Sequence, residues 1–372
     1  MSVRENGKFR PMTEIYDSAT DCRLLYNSPV QNESALILLR SKLSAIAQRL
    51  GLSDQKRENM LLVASEMVSN QVKHAGGRGQ IQVWQQPGPV LDILALDYGP
   101  GIANISQAEE DGYSSANTLG KGLGSIRRLS DESYIYTQRE DTSKSKKWSG
   151  TVFLARFFPG GKKTGLDQAA NTARNRSASL GIGLFSRSLS DDRYNGDRIY
   201  LQKTGDRLRW LHLDGLGHGE EAQAATADLA AHLTLGKELE SVLTGVGRQL
   251  VNTRGAVAVV CEIDLAQRNL QLLGVGDMHA HIYDQDQDQI QHLAFAPGIL
   301  GREHRSFSPF QSGFGKRCVV VTASDGIRRN WDIGNFTGIF NLHPQLIAYT
   351  LGNIMGRISD DQSICISTAG IG

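Results

Sequence analysis

A chain of 372 residues, 40% hydrophobic and 21% charged, is long enough for two cores and ordinary in composition for a globular protein. Its formal net charge of +1, with no basic stripe, gives no reason to expect a nucleic-acid partner. No apolar run approaches bilayer-spanning length and the polar N-terminus has no signal-peptide core, so a soluble, cytoplasmic protein without a membrane partner is expected.

Leu36, Leu39, Leu43, Ile46 and Leu50 recur at spacings of three and four and predict an amphipathic helix over 34–50. Ser53 is a candidate N-cap for a second helix running to about His74, which Gly76-Gly77 ends. Strands are predicted at 81–84 and 90–96, then a glycine-bearing segment to about 125, a helical stretch at 126–129, and strands at 134–138 and 151–157. Lys144, Lys146 and Lys147 read as a solvated hairpin tip. Helices followed by a mostly antiparallel sheet predict a two-layer α/β sandwich. Residues 159–178 lack hydrophobic periodicity and read as a linker, which gives expected domains of 1–158 and 179–372.

Beyond the linker, strands are predicted at 180–186, 198–202 and 208–213, and helices near 219–234 and 237–251. Further strands follow at 256–263, 270–274, 279–283 and 318–322, then a helix near 343–356 and a last strand at 362–368. This order predicts a sheet sandwich with helices outside, so the fold class is α/β (α+β) in both halves. Cys261, Cys318 and Cys365 sit in apolar runs and no Cys-x-x-Cys pair occurs, which predicts reduced, buried thiols rather than structural zinc.

On an ideal helix Glu66, Asn70, Lys73 and His74 fall within roughly a 100° arc beside an apolar stripe. Such a face can be no more than the wetted side of a helix, but the downstream sequence adds to it. Asp97 closes an apolar strand and enters Asp-Tyr-Gly99-Pro-Gly101, where glycines let the backbone approach a flat ligand. Gly120-Lys-Gly122-Leu-Gly124 then opens a helix, whose free N–H groups suit phosphate oxygens.

In this order the three elements resemble the ATPase fold shared by gyrase, the Hsp-ninety chaperones and histidine kinases. Within it they look most like the serine kinases of sigma-factor partner switching, and the switch kinases of the stressosome pathway in particular. The resemblance covers about residues 34–157 and rests on Ala64-Ser-Glu-Met-Val-Ser-Asn70, Glu110-Asp-Gly-Tyr-Ser114 and Gly122-Leu-Gly-Ser-Ile-Arg-Arg-Leu129. It implies ATP with Mg2+: Asn70 would hold the magnesium, and Glu66 would orient or deprotonate the attacking serine hydroxyl. It also implies that Asp97 accepts from the adenine amino group, that Gly99 and Gly101 shape the pocket, and that Thr151 assists by way of water. Lys73 and the Gly120, Gly122 and Gly124 lid would neutralise phosphate charge. Lys121 departs from relatives, in which that lid position is often apolar. No phosphoacceptor-type histidine helix precedes the module, which argues against histidine autophosphorylation.

Four acidic positions lie at or near strand ends in the second half: Gly196-Asp197, Asp214-Gly215, Ser324-Asp325-Gly326 and Asp360-Asp361. Each alone reads as a turn. Together they suit a hydrolase whose carboxylates gather two hard cations roughly 3.5–4 Å apart. Gly-Asp197, Asp214-Gly-Leu-Gly-His-Gly219, Ala-Ser-Asp325-Gly326 and Asp360-Asp-Gln-Ser-Ile364 resemble the type-2C metal-dependent serine/threonine phosphatases, in their sporulation and stress-response branch, over about residues 179–368. The resemblance implies two Mn2+ or Mg2+ held by Asp197, Asp214, the Gly215 carbonyl, Asp325 and Asp360. Either Asp360 or Asp361 could be the ligand, and Asp360 is favoured. Asp277 reads as the end of a structural strand. His218 either reaches the phosphate or makes a helix-start hydrogen bond, and no single Arg can be nominated for phosphate binding.

Taken together, the two resemblances imply a bifunctional partner-switching regulator. One module would phosphorylate a serine on an anti-sigma-factor antagonist or stressosome-like STAS-domain protein, and the other would remove the phosphate. Two alternatives stand beside it: an ATP sensor that gates the phosphatase, and a non-catalytic module that sequesters a partner.

Overall fold

The computed structural model describes residues 4–5, 8–9, 15–88, 90–106, 122–140, 148–159, 180–191, 193–329 and 335–369. The chain forms two compact units, and neither is continuous in sequence. One consists of Asp21–Gln168 with Asn330–Ile354; the other takes Met1–Thr20, Ala169–Arg329 and Met355–Gly372. The expected boundaries therefore differ in two places. Strand β1 (Ile15–Asp17) pairs within the second unit, and a stretch near the C-terminus groups with the first.

The first unit contains β2 (Arg23–Val30), α1 (Ala35–Arg49), α2 (Asp54–Ala75), β3 (Gly79–Gln86) and β4 (Val90–Asp97), followed by α3 (Gly122–Leu129), β5 (Glu132–Gln138) and β6 (Gly150–Phe157). Its antiparallel sheet runs β2-β3-β4-β6-β5. Alternation along the strands sends Ile81, Val83, Leu91, Ile93, Ala95, Phe153 and Phe157 to one face. There they pack on Leu39, Leu43 and Ile46 of α1 and on Met60, Val63 and Met67 of α2. Ser53 caps α2 by accepting from the Lys56 N–H at 3.3 Å, and Gly76 closes it in the left-handed region at φ 62. Strand β2 escaped the sequence reading because Pro29 interrupts it; as an edge strand it tolerates a residue that cannot donate.

The second unit stacks two antiparallel sheets. Its elements continue with β7 (Leu180–Arg187), β8 (Asp197–Thr204), β9 (Arg207–Gly215), α4 (Glu220–Thr226), α5 (Leu239–Gln249), β10 (Ala256–Asp264) and β11 (Asn269–Val275). After these come β12 (His279–Asp284), β13 (Gln289–Leu293), β14 (Phe310–Gly313), β15 (Cys318–Ala323) and β16 (Gln362–Ala369), with α6 (Pro344–Met355) lying between β15 and β16 in sequence but grouped with the first unit up to Ile354. One sheet is ordered β14-β11-β10-β9-β8-β1 and the other β13-β12-β15-β16-β7. Leu211, Leu213, Val260 and Leu273 face the helical side, against Ala225, Val242, Leu243 and Val246. Trp210 and His212, one residue out of phase with these, turn inward to the facing sheet, where Thr322 and Ser363 meet them.

The helix expected over 219–234 is shorter. It stops at Thr226, where Ala227 turns to extended backbone at ψ 156 and Asp228 takes φ 57, and one 3-10 turn at Ala230–His232 follows. Strands β13 and β14 were not foreseen. Cys261, Cys318 and Cys365 are buried free thiols, as expected, and so is Cys22. No helix among the described residues is long and apolar enough to cross a membrane.

Residues 344–354 of α6 complete the first unit. Gln82, Trp84, Gln86, Asp92 and Arg156 are all buried on the sheet face opposite α1 and α2. Arg156 grips Asp92 with two hydrogen bonds of 2.8 and 2.9 Å. The Tyr349 hydroxyl donates to Asp92 at 3.0 Å and accepts from Gln86 at 2.7 Å, and Asn353 accepts from Gln82 at 2.7 Å. Every charge on this buried face thus has a partner, without which its desolvation would be costly.

Candidate functional sites

In the first unit, α2 presents Glu66 and Asn70 one turn apart toward the start of α3. A Cβ added at Gly122 would lie 3.2 Å from Glu66 Oε2 and 3.3 Å from the Asn70 amide, so glycine lets the helix start close on both side chains. Gly124 is buried within α3. Lys73 is exposed, and Gly120 and Lys121 lie outside the described residues, as do Glu110–Ser114 and the Lys144–Lys147 cluster.

Asp97 closes β4, and its Oδ1 accepts from the Gly99 N–H at 2.8 Å and the Thr151 N–H at 3.1 Å. Both donors fall on one oxygen, which leaves Oδ2 to accept from an incoming amino group. Burial raises the carboxyl above its usual range, and the two N–H groups oppose that rise. Thr151 touches Asp97 through its main chain, while its hydroxyl lies 3.3 Å from that of Thr137. Gly101 sits at φ 75, and a Cβ there would fall 2.4 Å from the Gln138 carbonyl oxygen. The sequence reading missed Gly150, where a Cβ would fall 2.0 Å from the Asp97 carbonyl, and Trp148, whose indole N–H donates to that same carbonyl at 3.2 Å.

In the second unit, Asp197 opens β8 and pairs in register with Asp214 near the end of β9. Asp325 follows β15, and Asp360 precedes β16. The two loops interlock because Gly326 leaves no room for a side chain: its Cβ would fall 1.7 Å from the Asp361 carbonyl oxygen. Burial comes first in raising Asp214 well above the carboxylate range, followed by repulsion from Asp197, Asp325, Asp360 and Asp277. Asp197 is pushed up to about 8 by burial, with Asp361 and Asp360 adding to the rise against hydrogen bonds from Ser324 and Ser363. Asp325 is raised by burial and by Asp360 and Asp277. Carboxylates from separate segments thus repel one another, which adds to the effect of burial.

Asp361 has a different task. Its Oδ1 accepts from the Leu189 N–H and its Oδ2 from the Gly196 N–H, each at 2.7 Å, which ties down the entry to β8. Both oxygens of Asp361 are engaged, whereas Asp360 accepts from the Asp361 N–H through Oδ1 at 3.0 Å. Gly215 is buried, and its Cβ would meet the Ala222 carbonyl oxygen at 2.6 Å. His218 is exposed, as is Asp277. Among the described residues no three His, Cys, Asp or Glu side chains are grouped so as to hold a metal ion. The hard oxygen donors fit divalent cations in kind.

Comparison with known proteins gives the following similarities. Residues 30–145 match the histidine kinase-like ATPase domain. The serine/threonine-protein kinase RsbT of Bacillus subtilis (strain 168) is 34% identical over 106 residues, 28% of this chain and 79% of that kinase. The phosphoserine phosphatase RsbX of the same organism is 23% identical over 135 residues, 36% of this chain and 67% of that phosphatase. Among solved structures, the phosphatase domain of SpoIIE with a fragment of its regulatory domain, from Bacillus subtilis, is 13% identical with a TM-score of 0.43, over 90% of this chain and 94% of that one.

Proposed function

Because this chain belongs to the histidine kinase-like ATPase family of the serine/threonine-protein kinase RsbT, we propose that it is a partner-switching regulator carrying two opposed phosphoryl activities. The first unit would transfer the γ-phosphoryl group of ATP to a serine on a STAS-type antagonist protein. A bond forms between the serine oxygen and phosphorus, the bond to the β-phosphate oxygen breaks, and Glu66 takes the hydroxyl proton. Asn70 would hold Mg2+ with the nucleotide, Asp97 would take the adenine amino group, and Gly99, Gly101 and Thr151 would shape the base pocket. Lys73, Gly120, Gly122 and Gly124 would face the phosphates.

The second unit would hydrolyse phosphoserine on that partner or a paralogue, in keeping with its likeness to RsbX. Asp197, Asp214, the Gly215 carbonyl, Asp325 and Asp360 would hold two Mn2+ or Mg2+, which supply Lewis acidity when bound. The chain's own work is to hold those oxygens: Asp361 fixes Gly196, and Ser363 orients Asp197. The observation that carries this reading is the register that sets Asp197 opposite Asp214 on adjacent strands, with Asp325 and Asp360 near enough to repel Asp214.

The test is to incubate the full chain with γ-labelled ATP and candidate STAS-domain proteins. Serine labelling that disappears in Glu66→Ala and Asn70→Ala supports transfer, while phosphate release that disappears in Asp214→Asn supports the phosphatase. Absent labelling together with an ATP-dependent change in phosphatase rate would replace the kinase by an ATP sensor. Unchanged release in Asp214→Asn would overturn the metal site.

A further inference from the structure

A cleft of about 580 Å³ opens beside β12, with Leu216, Val257, Phe295 and Ile299 as apolar walls. That size lies within the roughly 300–1,000 Å³ of pockets that hold a ligand. Its walls are set by the main chain. Ala296 bridges to Val275, and the Gly276 N–H donates to the Ala296 carbonyl at 2.9 Å. Gly274 lets the Phe295 ring close on β11, since a Cβ there would fall 2.6 Å from the ring.

The cleft adjoins the carboxylates. Val257 pairs in register with Asp214 across β9 and β10. Side chains so opposed share one face of the sheet, with Cβ atoms about 4.5–5.5 Å apart. Asp277 and Arg329, both exposed, also line the cleft. Behind the effect of burial, Asp277 adds to the rise of Asp214 and Asp325, and Arg329 opposes it at Asp325.

His279 supplies a second observation. It lines the cleft, is 5% exposed and brings its ring toward the Asp277 main chain, yet among the described residues neither ring nitrogen completes a hydrogen bond. A buried polar group in that state calls for a partner from outside the chain. Burial depresses the imidazole to about 4, so near pH 7 it is neutral and offers one donor and one acceptor, as a peptide main chain requires.

We propose that this cleft is the specificity subsite of the second unit, taking a bulky apolar side chain of the Leu, Met or Phe kind two residues from the phosphoserine of an extended partner segment. The proposal rests on the phosphatase reading and names what that site selects. Side chains two apart in an extended chain point the same way, about 6.5–7 Å from each other. A phosphate seated at Asp214 therefore brings the second neighbour past Val257 into the cleft, with His279 facing the main chain. Arg329 at the edge suits a phosphorylated peptide better than a neutral apolar molecule.

The experiment gives the full chain, with Mn2+, either p-nitrophenyl phosphate or synthetic phosphoserine peptides alike except for Ala, Leu or Phe two residues before or after the phosphoserine. On one side of it, Leu and Phe should raise kcat/KM over Ala by roughly ten- to a hundredfold, the range that burying one such side chain supplies. The gain should lie chiefly in KM. Phe295→Ala and Ile299→Gln should each bring that ratio toward one. Poor folding lowers every rate alike and leaves the ratio in place, so an unchanged ratio in both variants overturns the subsite. Hydrolysis of p-nitrophenyl phosphate with a parent ratio near one also overturns it, while the phosphatase stands; no release from any substrate removes both. A dimer that Phe295→Ala dissolves would give the cleft to a second copy of the chain and overturn the proposal as well.

Discussion

Asp197 and His212 are joined through a single hydroxyl: Ser363 Oγ donates to Asp197 Oδ2 at 2.7 Å and accepts from His212 Nε2 at 2.7 Å. Behind them, His212 Nδ1 accepts from Thr322 Oγ1 at 2.9 Å, and that hydroxyl accepts from the Trp210 indole N–H at 3.0 Å. The direction of each hydrogen is therefore fixed from Trp210 through to the carboxylate, in a line that is buried along its length.

Ser363→Ala removes the shared hydroxyl and leaves the His212 Nε2–H without its acceptor. A loss of about 1–3 kcal/mol is expected from the stranded donor, read by urea unfolding. The metal concentration needed for half-maximal phosphate release should rise by roughly tenfold or more, since Asp197 loses a group that orients it.

Asp360 and Asp361 should separate under mutation. Asp361→Asn sets an amide N–H₂ against a main-chain donor, so stability should fall by about 1–3 kcal/mol. Asp360→Asn removes one of several mutually repelling charges, and the metal-free protein should be at least as stable as before while phosphate release is lost. Equal stability losses in the two variants would contradict this division of labour.

The pH dependence follows from His212, which burial depresses from its ordinary 6.5 to about 3. Between those values the unfolded chain binds a proton that the folded chain refuses. The contribution is thus fully present above about 6.5 and is lost as pH falls toward 3. Asp197, raised from 3.8 to about 8, runs the other way: without metal, it costs stability as pH climbs through that range. Comparing urea midpoints of the parent chain and His212→Asn from pH 7 to 4 isolates the histidine, and the parent should show the steeper acid-side loss.

Gly101→Ala should abolish binding of a fluorescent ATP analogue, because the new methyl would fall 2.4 Å from the Gln138 carbonyl oxygen at φ 75. Gly51→Ala is the control. Gly51 has φ 67 but nothing within 4 Å, so that variant should show only the cost of about 1 kcal/mol for a left-handed residue, with nucleotide binding intact.

Much of this was legible from local chemistry. The N-cap Ser53, the closing Gly76 and the alternation along β3 and β4 are short-range signals, and they gave the helices and strands around Asp97. The four acidic turns were legible as short sequence signals, and the structure sets two of their carboxylates, Asp197 and Asp214, in register on adjacent strands. What stayed hidden depends on partners distant in sequence. The tether from Asp361 to Gly196 spans 165 residues, the Ser363 contact to Asp197 spans 166, and Gly150 matters only because Asp97 arrives beside it. Helix α6 was legible as a helix, but nothing in its pattern shows which sheet its tyrosine serves.

The segment carrying Tyr349 and Asn353 is encoded between Asp325 and Asp360, yet it furnishes the first unit with the hydroxyl on Asp92 and the amide on Gln82. A single break in the gene near the linker would therefore give two incomplete products. The upstream product would expose a buried charge pair, and the downstream one would carry an orphaned helix and lack the edge strand at Ile15–Asp17. Anyone dissecting this polypeptide, and any recombination event that shuffled it, would have to move the interleaved pieces together.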